Sequence, residues 1–441
     1  MSDVAVAGAG LTGCLLAVRL ARAGHDISLF DRRHDLRVRD DDAGRSINLA
    51  LSTRGLDALN RVGLEQIVLE QAIDMPGRMI HDAHGKTTFQ PYGTEAHHKL
   101  HSVNRDELNI ALLDAADATP GVTTYFEHRI RDLSVRSGDL IVEHRAETRT
   151  SNFDVIYGAD GAYSAVRGRL QRIGRVDFSQ EFLGHGYKEI AIPAGPNGPL
   201  LDPNALHIWP RGSHMMIALP NPDGSFTGTL FWPFSGSPGF ETVVSEADVA
   251  EVFRSQFPDV LALIPDLAAQ YVANTTSSLV TMRSGPWHHE GRVMLIGDAA
   301  HAVVPFLGQG ANAALEDVTV LMDLYDQHGH DAHETVFDAF YLERKADVDA
   351  LANLAIEHYD EMRTDVSSRW FLLGKSLERA LTSAMPARFV PLYTMISFSR
   401  TPYAEAEARA NQQRDRLRIA ASLIGLLLVA AVVAAIVLAT S

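Results

Sequence analysis

The chain has 441 residues with 39 Lys+Arg against 55 Asp+Glu, a formal charge of −16, which argues against nucleic acid as the main partner because phosphate backbones need clustered positive charge. At 46% hydrophobic and 21% charged it is not a disordered chain, and its length calls for two or three structural units rather than one small core. Its single cysteine, Cys14, excludes an intramolecular disulfide and a thiolate metal site, and it fits a reducing compartment.

Residues 3–8 read as a strand that begins almost at once, with no basic region before it, so no signal peptide is expected. Gly8-Ala9-Gly10-Leu11-Thr12-Gly13 follows and opens a helix. A G-x-G-x-x-G string alone is a weak sign, but this is the context its mechanism needs. Gly8 permits the tight turn, Gly10 lets backbone approach a pyrophosphate, and Gly13 lets the helix pack on the strand, with phosphates favoured at the helix N-terminus. Residues 26–31 form the next strand and end on Asp31, 18 residues after Gly13, where a carboxylate can accept from ribose hydroxyls.

Further on, 108–118 reads as a helix and 123–126, 130–135, 140–144 and 154–157 as short strands. Gly158-Ala159-Asp160-Gly161 to Arg167 then places an Asp at a strand end before a helix. Residues 180–280 change character, with many prolines around short β-like pieces such as 215–219 and 226–231, which suggests an antiparallel sheet inserted into an α/β domain. Residues 293–297 return to a buried strand, and Gly297-Asp298-Ala299-Ala300-His301 follows with Pro305, Gly308-Gln309-Gly310 and Asn312. An Asp in such a turn can contact a ribityl chain, and a helix N-terminus near Gly310 can stabilise negative charge. From Asn312 the chain is mainly helical.

Residues 419–439 form an apolar run of 21 residues, broken only by Ser422 and Gly425 and preceded by Arg409, Arg414, Arg416 and Arg418. As a helix it would span about 31 Å, so a transmembrane helix with the folded part on the cytoplasmic side is expected. Other features take the plainer reading. His97, His98 and His101 are expected to be solvated loop histidines without acidic partners, and His288-His289 likewise, so no metal is expected. No G-x-S-x-G elbow supports a hydrolase reading of Ser164 and His301. Asp40-Asp41-Asp42 reads as a solvated loop.

The ordered trio of Gly-rich turn, D-G segment and G-D segment resembles the FAD-dependent aromatic hydroxylases, or group A flavoprotein monooxygenases. Gly44-Arg45-Ser46-Ile47-Asn48-Leu49-Ala50-Leu51-Ser52, Gly77-Arg78-Met79-Ile80-His81, Pro91-Tyr92-Gly93, His207-Ile208-Trp209-Pro210-Arg211-Gly212, Pro305-Phe306 to Asn312 and Pro391-Leu392-Tyr393-Thr394-Met395 narrow this to the kynurenine 3-monooxygenases. The resemblance implies an α/β fold: a Rossmann-like FAD-binding domain with an inserted antiparallel-sheet substrate domain, C-terminal helices and a C-terminal transmembrane helix. The expected divisions are 1–178 and 286–340 for FAD, 179–285 for the substrate sheet, 341–412 for helices covering the substrate, and 419–439 for the anchor, with substrate-contacting strands near 75–100.

The resemblance also implies tightly bound FAD, with NADPH and O2 as co-substrates, and hydroxylation of L-kynurenine to 3-hydroxy-L-kynurenine through a flavin C4a-hydroperoxide. No side chain acts as catalyst, because the flavin carries the chemistry. FAD is expected at Gly8, Gly10, Thr12, Gly13, Asp31, Arg32, Arg33, Ala50, Arg105, Ile130, Asp160, Ala165, Asp298, Gly310, Ala311 and Asn312. The substrate is expected at Arg78, whose guanidinium fork suits its α-carboxylate, and at Tyr92 and Tyr393, which would donate to the same group. His358 stands where the family has an asparagine, and Leu307 where an aromatic or polar residue is usual. Partners are then the small-molecule substrate and a lipid bilayer.

Overall fold

A computed structural model of the chain describes residues 2–38, 47–93, 95–174, 176–362, 385 and 389–440. Gly44 to Ser46 and Asp40 to Asp42 lie outside the described residues.

The first sheet has six strands in the order His288–His289, Val293–Leu295, Val155–Gly158, Asp3–Ala7, Asp26–Phe30 and Val122–Tyr125. All neighbours run parallel except the first pair. Its central strands are apolar runs without alternation, as burial on both faces requires: Val4 to Ala7 and Val293 to Leu295 are all buried. The helix Leu11–Arg22 packs on this sheet and against helices Arg105–Asp117 and Gly310–His328. Because the central strands are parallel and in register, Ala7 beside both Gly158 and Phe30 and Gly158 beside Leu295, the loops after them emerge at one edge. Gly8, Asp31, Asp160 and Asp298 all sit on those loops, the usual ligand edge of an open parallel sheet.

The second large sheet has eight strands. It is not purely antiparallel, as expected from sequence. Strand Leu206–Pro210 runs parallel to Gly77–His81, which belongs to the first third of the chain and in turn pairs with Thr87–Pro91. The other members are Met215–Pro220, Phe226–Pro233, Asp177–Ile192, Ser277–Gly285 and His301–Ala302. On one face Tyr187, Thr229, Thr227, Phe231, Met215, Ile217, Leu219, Leu206 and Arg78 line a single cavity. The opposite face, with Trp209, Trp232 and Phe226, packs on helices Glu246–Gln256, Pro258–Leu263 and Leu267–Ala273.

Past residue 310 the described residues are mainly helical: Gly310–His328, His333–Asp360, Leu392–Phe398 and Tyr403–Thr440. The transmembrane expectation is not borne out here. Among the described residues no helix is long and apolar enough to cross a membrane, and most side chains of 420–440 lie outside the described residues. His288-His289 also departs from the loop reading, forming the short edge strand with His288 3.3 Å from Asp338.

Candidate active site

A cavity of about 1060 Å³ runs between the ligand edge of the parallel sheet and the apolar face of the second sheet. At the parallel-sheet end the glycines act as sequence reasoning requires. Gly8 has φ +103°, and a Cβ there would lie 2.4 Å from the Ala159 carbonyl oxygen. A Cβ on Gly13 would lie 1.8 Å from the Gly8 oxygen, so only glycine lets this helix meet this strand. A Cβ on Gly10 would meet nothing within 4 Å, and Gly10 lines the cavity. Its backbone therefore faces space that a phosphate group fits. Thr12 lines the same wall, and a Cβ on Gly297 would come within 2.9 Å of its Oγ1.

Asp31 is buried, and its carboxylate accepts from Ala9 N (2.9 Å), Arg33 N (2.8 Å) and the Arg33 guanidinium (2.9 and 3.0 Å). Burial opposes its charge, but the Arg33 bonds and charge and the backbone N–H groups outweigh this and hold its carboxyl below the usual range. Arg33 thus lines the cavity already paired, while Arg32 lines it exposed.

Asp160 turns out to be a helix-capping group as well as a lining residue. It accepts from Ala165 N at 2.6 Å and Val166 N at 3.4 Å, ahead of helix Ala165–Ile173, while its Oδ1 is buried without a partner among the described residues. Burial pushes its carboxyl up. Ser164 is the N-cap, accepting from Arg167 N at 2.9 Å. Asp298 is exposed to the cavity it lines; the surrounding protein desolvates its carboxyl and pushes it up, against the pull of His301 and Arg105. Ala50, Arg105, Ile130, Ala165, Gly310 and Ala311 line the cavity too. Asn312 does not line it. It braces the wall instead, donating to the Ala50 and Gly308 carbonyls (2.9 and 2.8 Å) and accepting from Ser52 N (2.9 Å).

At the other end Arg78 carries its guanidinium over two rings, 5.5 Å from the centroid of Tyr92 and 5.2 Å from that of Tyr393. The two rings stack at 5.2 Å. Among the described residues Arg78 has no carboxylate partner. Tyr393 and His358 line the cavity with it, their rings 6.1 Å apart, and His358 also approaches Glu361 at 3.5 Å. Tyr92 is buried beside them outside the lining, and its hydroxyl has no hydrogen-bond partner among the described residues. Burial pushes both phenols up, while Arg78 pulls them down.

Across the sheet the register runs Arg78, Leu206, Leu219, Thr227, Ala191, four strand spacings or about 19 Å. The floor between is apolar: Leu206, Leu219, Ile217, Met215 and Phe231, with Phe306 and Leu307 above and Phe306 stacked on Tyr359 at 3.9 Å. Sequence reasoning singled out Phe306 and Leu307 but missed the floor residues and Tyr187 and Glu189, although Tyr187/Glu189 and Thr227/Thr229/Phe231 show the period-two spacing of one strand face. Burial pushes the Glu189 carboxyl up, opposed by Arg105.

Two of the remaining histidines differ from the solvated-loop expectation. His101 is a buried strand residue 2.9 Å from Asp74, not a solvated one. His97 does have an acidic neighbour, Glu95 at 3.3 Å, and with His98 their ligand atoms fall within 4.8 Å of one another, with Glu95 and His97 exposed.

Comparison with known proteins accords with this geometry. A family described as an FAD binding domain matches residues 1–355. Kynurenine 3-monooxygenase of Myxococcus xanthus is 47% identical over 91% of this chain and 86% of its own. That of Flavobacterium johnsoniae is 44% identical over 92% and 90%, and that of Dictyostelium discoideum 41% over 93% and 91%. Among solved structures, 2-methyl-3-hydroxypyridine-5-carboxylic acid oxygenase has a TM-score of 0.66 at 20% identity, covering 88% of this chain and 98% of its own, which shows a shared fold. Pseudomonas aeruginosa PqsL, solved with 2-aminobenzoylacetate, has a TM-score of 0.68 at 19% identity, covering 85% and 98%. The chain belongs to the kynurenine 3-monooxygenase family of FAD-binding enzymes.

Proposed function

We propose that this protein hydroxylates L-kynurenine to 3-hydroxy-L-kynurenine, using NADPH and O2. The observation that carries the reading is Arg78. It is a guanidinium without a carboxylate partner among the described residues, beside two stacked tyrosines, at one end of a cavity whose other end is built for a dinucleotide.

FAD, held at Gly8, Gly10, Asp31 and the Asp298 turn, supplies the oxygen-activating chemistry when bound. The chain's own residues bind, orient and exclude water. Arg78 grips the α-carboxylate with a charged hydrogen bond, with Tyr393 and Tyr92 alongside. This leaves the aromatic ring of the substrate over the apolar floor of Leu206, Ile217, Met215 and Phe231. Phe306 and Leu307 close the region before Gly310 and keep it dry. His358 takes the polar position beside Tyr393. The apolar run 419–439, with the arginines before it, is read from its sequence as a bilayer anchor that leaves the cavity-bearing part on the cytoplasmic side.

The test is NADPH oxidation by the FAD-loaded protein with and without L-kynurenine, with mass analysis of the product. Stimulation and a product heavier by one oxygen are expected. Stimulation with H2O2 alone, or no response, sinks the reading and favours another anionic aromatic acid, for which His358 in place of asparagine is the pointer.

A further inference from the structure

The helix Leu392–Phe398 carries Tyr393 and buries Met395, Ile396 and Ser397. Apolar packing alone leaves its backbone free to slide, and its carbonyls are held by a residue more than 300 positions earlier. Arg54 is 1% exposed and donates from Nε to the Ile396 carbonyl at 3.2 Å, and from Nη2 to the Thr401 carbonyl just beyond the helix. Its Nη1 lies 2.6 and 2.7 Å from the two carboxylate oxygens of Glu316, and the Tyr403 ring lies against the guanidinium at 4.0 Å.

The chain of charges continues inward. Glu316 also accepts from Arg344 at 3.1 Å, Arg344 donates to Asp317 at 2.9 Å, and Asp317 accepts from Gly297 N at 3.1 Å, where the Asp298 turn begins. A parallel link joins the same two regions. The Tyr403 hydroxyl donates to Gln309 Oε1 at 3.2 Å, and Gln309 Nε2 reaches Ser397 Oγ at 3.5 Å, one residue before the helix that starts at Gly310. A fully buried ionic chain is weak evidence for stability, because apolar residues of equal volume serve as well or better. What it does supply is a fixed, directional geometry between the cofactor turn and the substrate helix.

We propose that Arg54 is a positioning residue for Tyr393: it sets the helix Leu392–Phe398 relative to the Gly297–Asp298 turn, and so governs how the far end of the substrate is held while the reacting ring meets the cofactor. This rests on the reading that Tyr393 meets the substrate carboxylate. Arg54 touches neither substrate nor cofactor; it acts through Ile396 and Thr401.

The experiment uses the full chain loaded with FAD and compares Arg54→Met, Arg54→Lys and Tyr403→Phe with wild type. Arg54→Met leaves Glu316 paired with Arg344, so a folded protein is expected. Its FAD content should match wild type, its kynurenine KM should rise tenfold or more with kcat changed less than threefold, and more of its NADPH oxidation should end in H2O2. Arg54→Lys keeps the charge but cannot reach Glu316 and both carbonyls at once, so it should restore only part of the KM. Tyr403→Phe should raise KM severalfold. Amide exchange over 392–398 should quicken in Arg54→Met whether or not kynurenine is present. Wild-type KM, coupling and exchange in a folded Arg54→Met overturn the proposal. If that variant does not load FAD, wild-type KM in both Arg54→Lys and Tyr403→Phe overturns it. If wild type itself ignores kynurenine, the functional reading has failed instead, and unchanged exchange over 392–398 in the variants then decides against Arg54 separately.

Discussion

A Cβ on Gly13 would lie 1.8 Å from the carbonyl oxygen of Gly8, closer than any relaxation of the turn can absorb. Gly10, midway between them, has nothing within 4 Å of the same position. The two glycines therefore fail differently.

Gly13→Ala should prevent the helix from seating and give little folded protein. Gly10→Ala should fold, with the wild-type circular dichroism spectrum, but bind FAD roughly tenfold or more weakly because the methyl enters the phosphate space. Flavin fluorescence titration of the two purified variants checks this. Wild-type FAD affinity in Gly10→Ala would place the pyrophosphate elsewhere.

Arg78→Ala removes the guanidinium that faces Tyr92 and Tyr393. Loss of a charged hydrogen bond to a carboxylate should cost on the order of 2–4 kcal/mol, seen as a raised kynurenine KM with FAD content retained. Steady-state kinetics at saturating NADPH measures it, and an unchanged KM removes Arg78 from the site.

Two histidines make stability fall on acidification. Burial lowers His207 and His214 from 6.5 to about 4. Both are depressed, so the folded state binds fewer protons than the unfolded one between pH 6.5 and 4. Their stabilising effect is complete above 6.5 and is lost as pH falls through that window. At 1% and 2% exposure neither shift is screened by solvent, and each should cost on the order of 2 kcal/mol by pH 5. His214→Gln should show a smaller fall in Tm between pH 7 and pH 5 than wild type; an equal fall excludes His214 as a source.

Removing residues 419–441 leaves Tyr393, Thr401 and Tyr403, and with them every contact of Arg54. The shortened chain should keep its FAD and its kynurenine KM within about twofold while losing binding to lipid vesicles, as expected when about 20 apolar residues provide the anchorage. Flotation of both chains with phosphatidylglycerol vesicles distinguishes this from anchorage by another surface.

The dinucleotide end was legible because its residues are constrained locally. The glycine spacing, the strand before it and Asp31 after it all lie within one βαβ unit, and the strands at 3–7, 26–30 and 155–158 fall where the apolar runs place them. The strand Asp177–Ile192 was not legible. Its first half is largely exposed on both sides, and its register shifts between Phe182 and Gly186, so the period of two seen over 185–192 does not extend along the whole strand. The parallel pairing of Leu206–Pro210 with Gly77–His81 was invisible for another reason: nothing local to either segment specifies a partner about 128 residues away. Arg54, Glu316, Asp317 and Arg344 were missed because charged residues are ordinarily at the surface, and only the tertiary fold shows that these four are buried together.

That parallel pairing also limits how the protein can be divided. A fragment of residues 179–285 would contain most of the second sheet but would lack its outer neighbours, the strands Gly77–His81 and Thr87–Pro91. The Leu-His-Ile-Trp-Pro strand at 206–210 would become a bare edge with unpaired N–H and C=O groups beside largely apolar side chains, a template for edge-to-edge aggregation. Residues 179–285 are a continuous stretch of sequence without being an independent folding module, so grafting the specificity of this sheet onto a related scaffold means moving residues 77–91 with them.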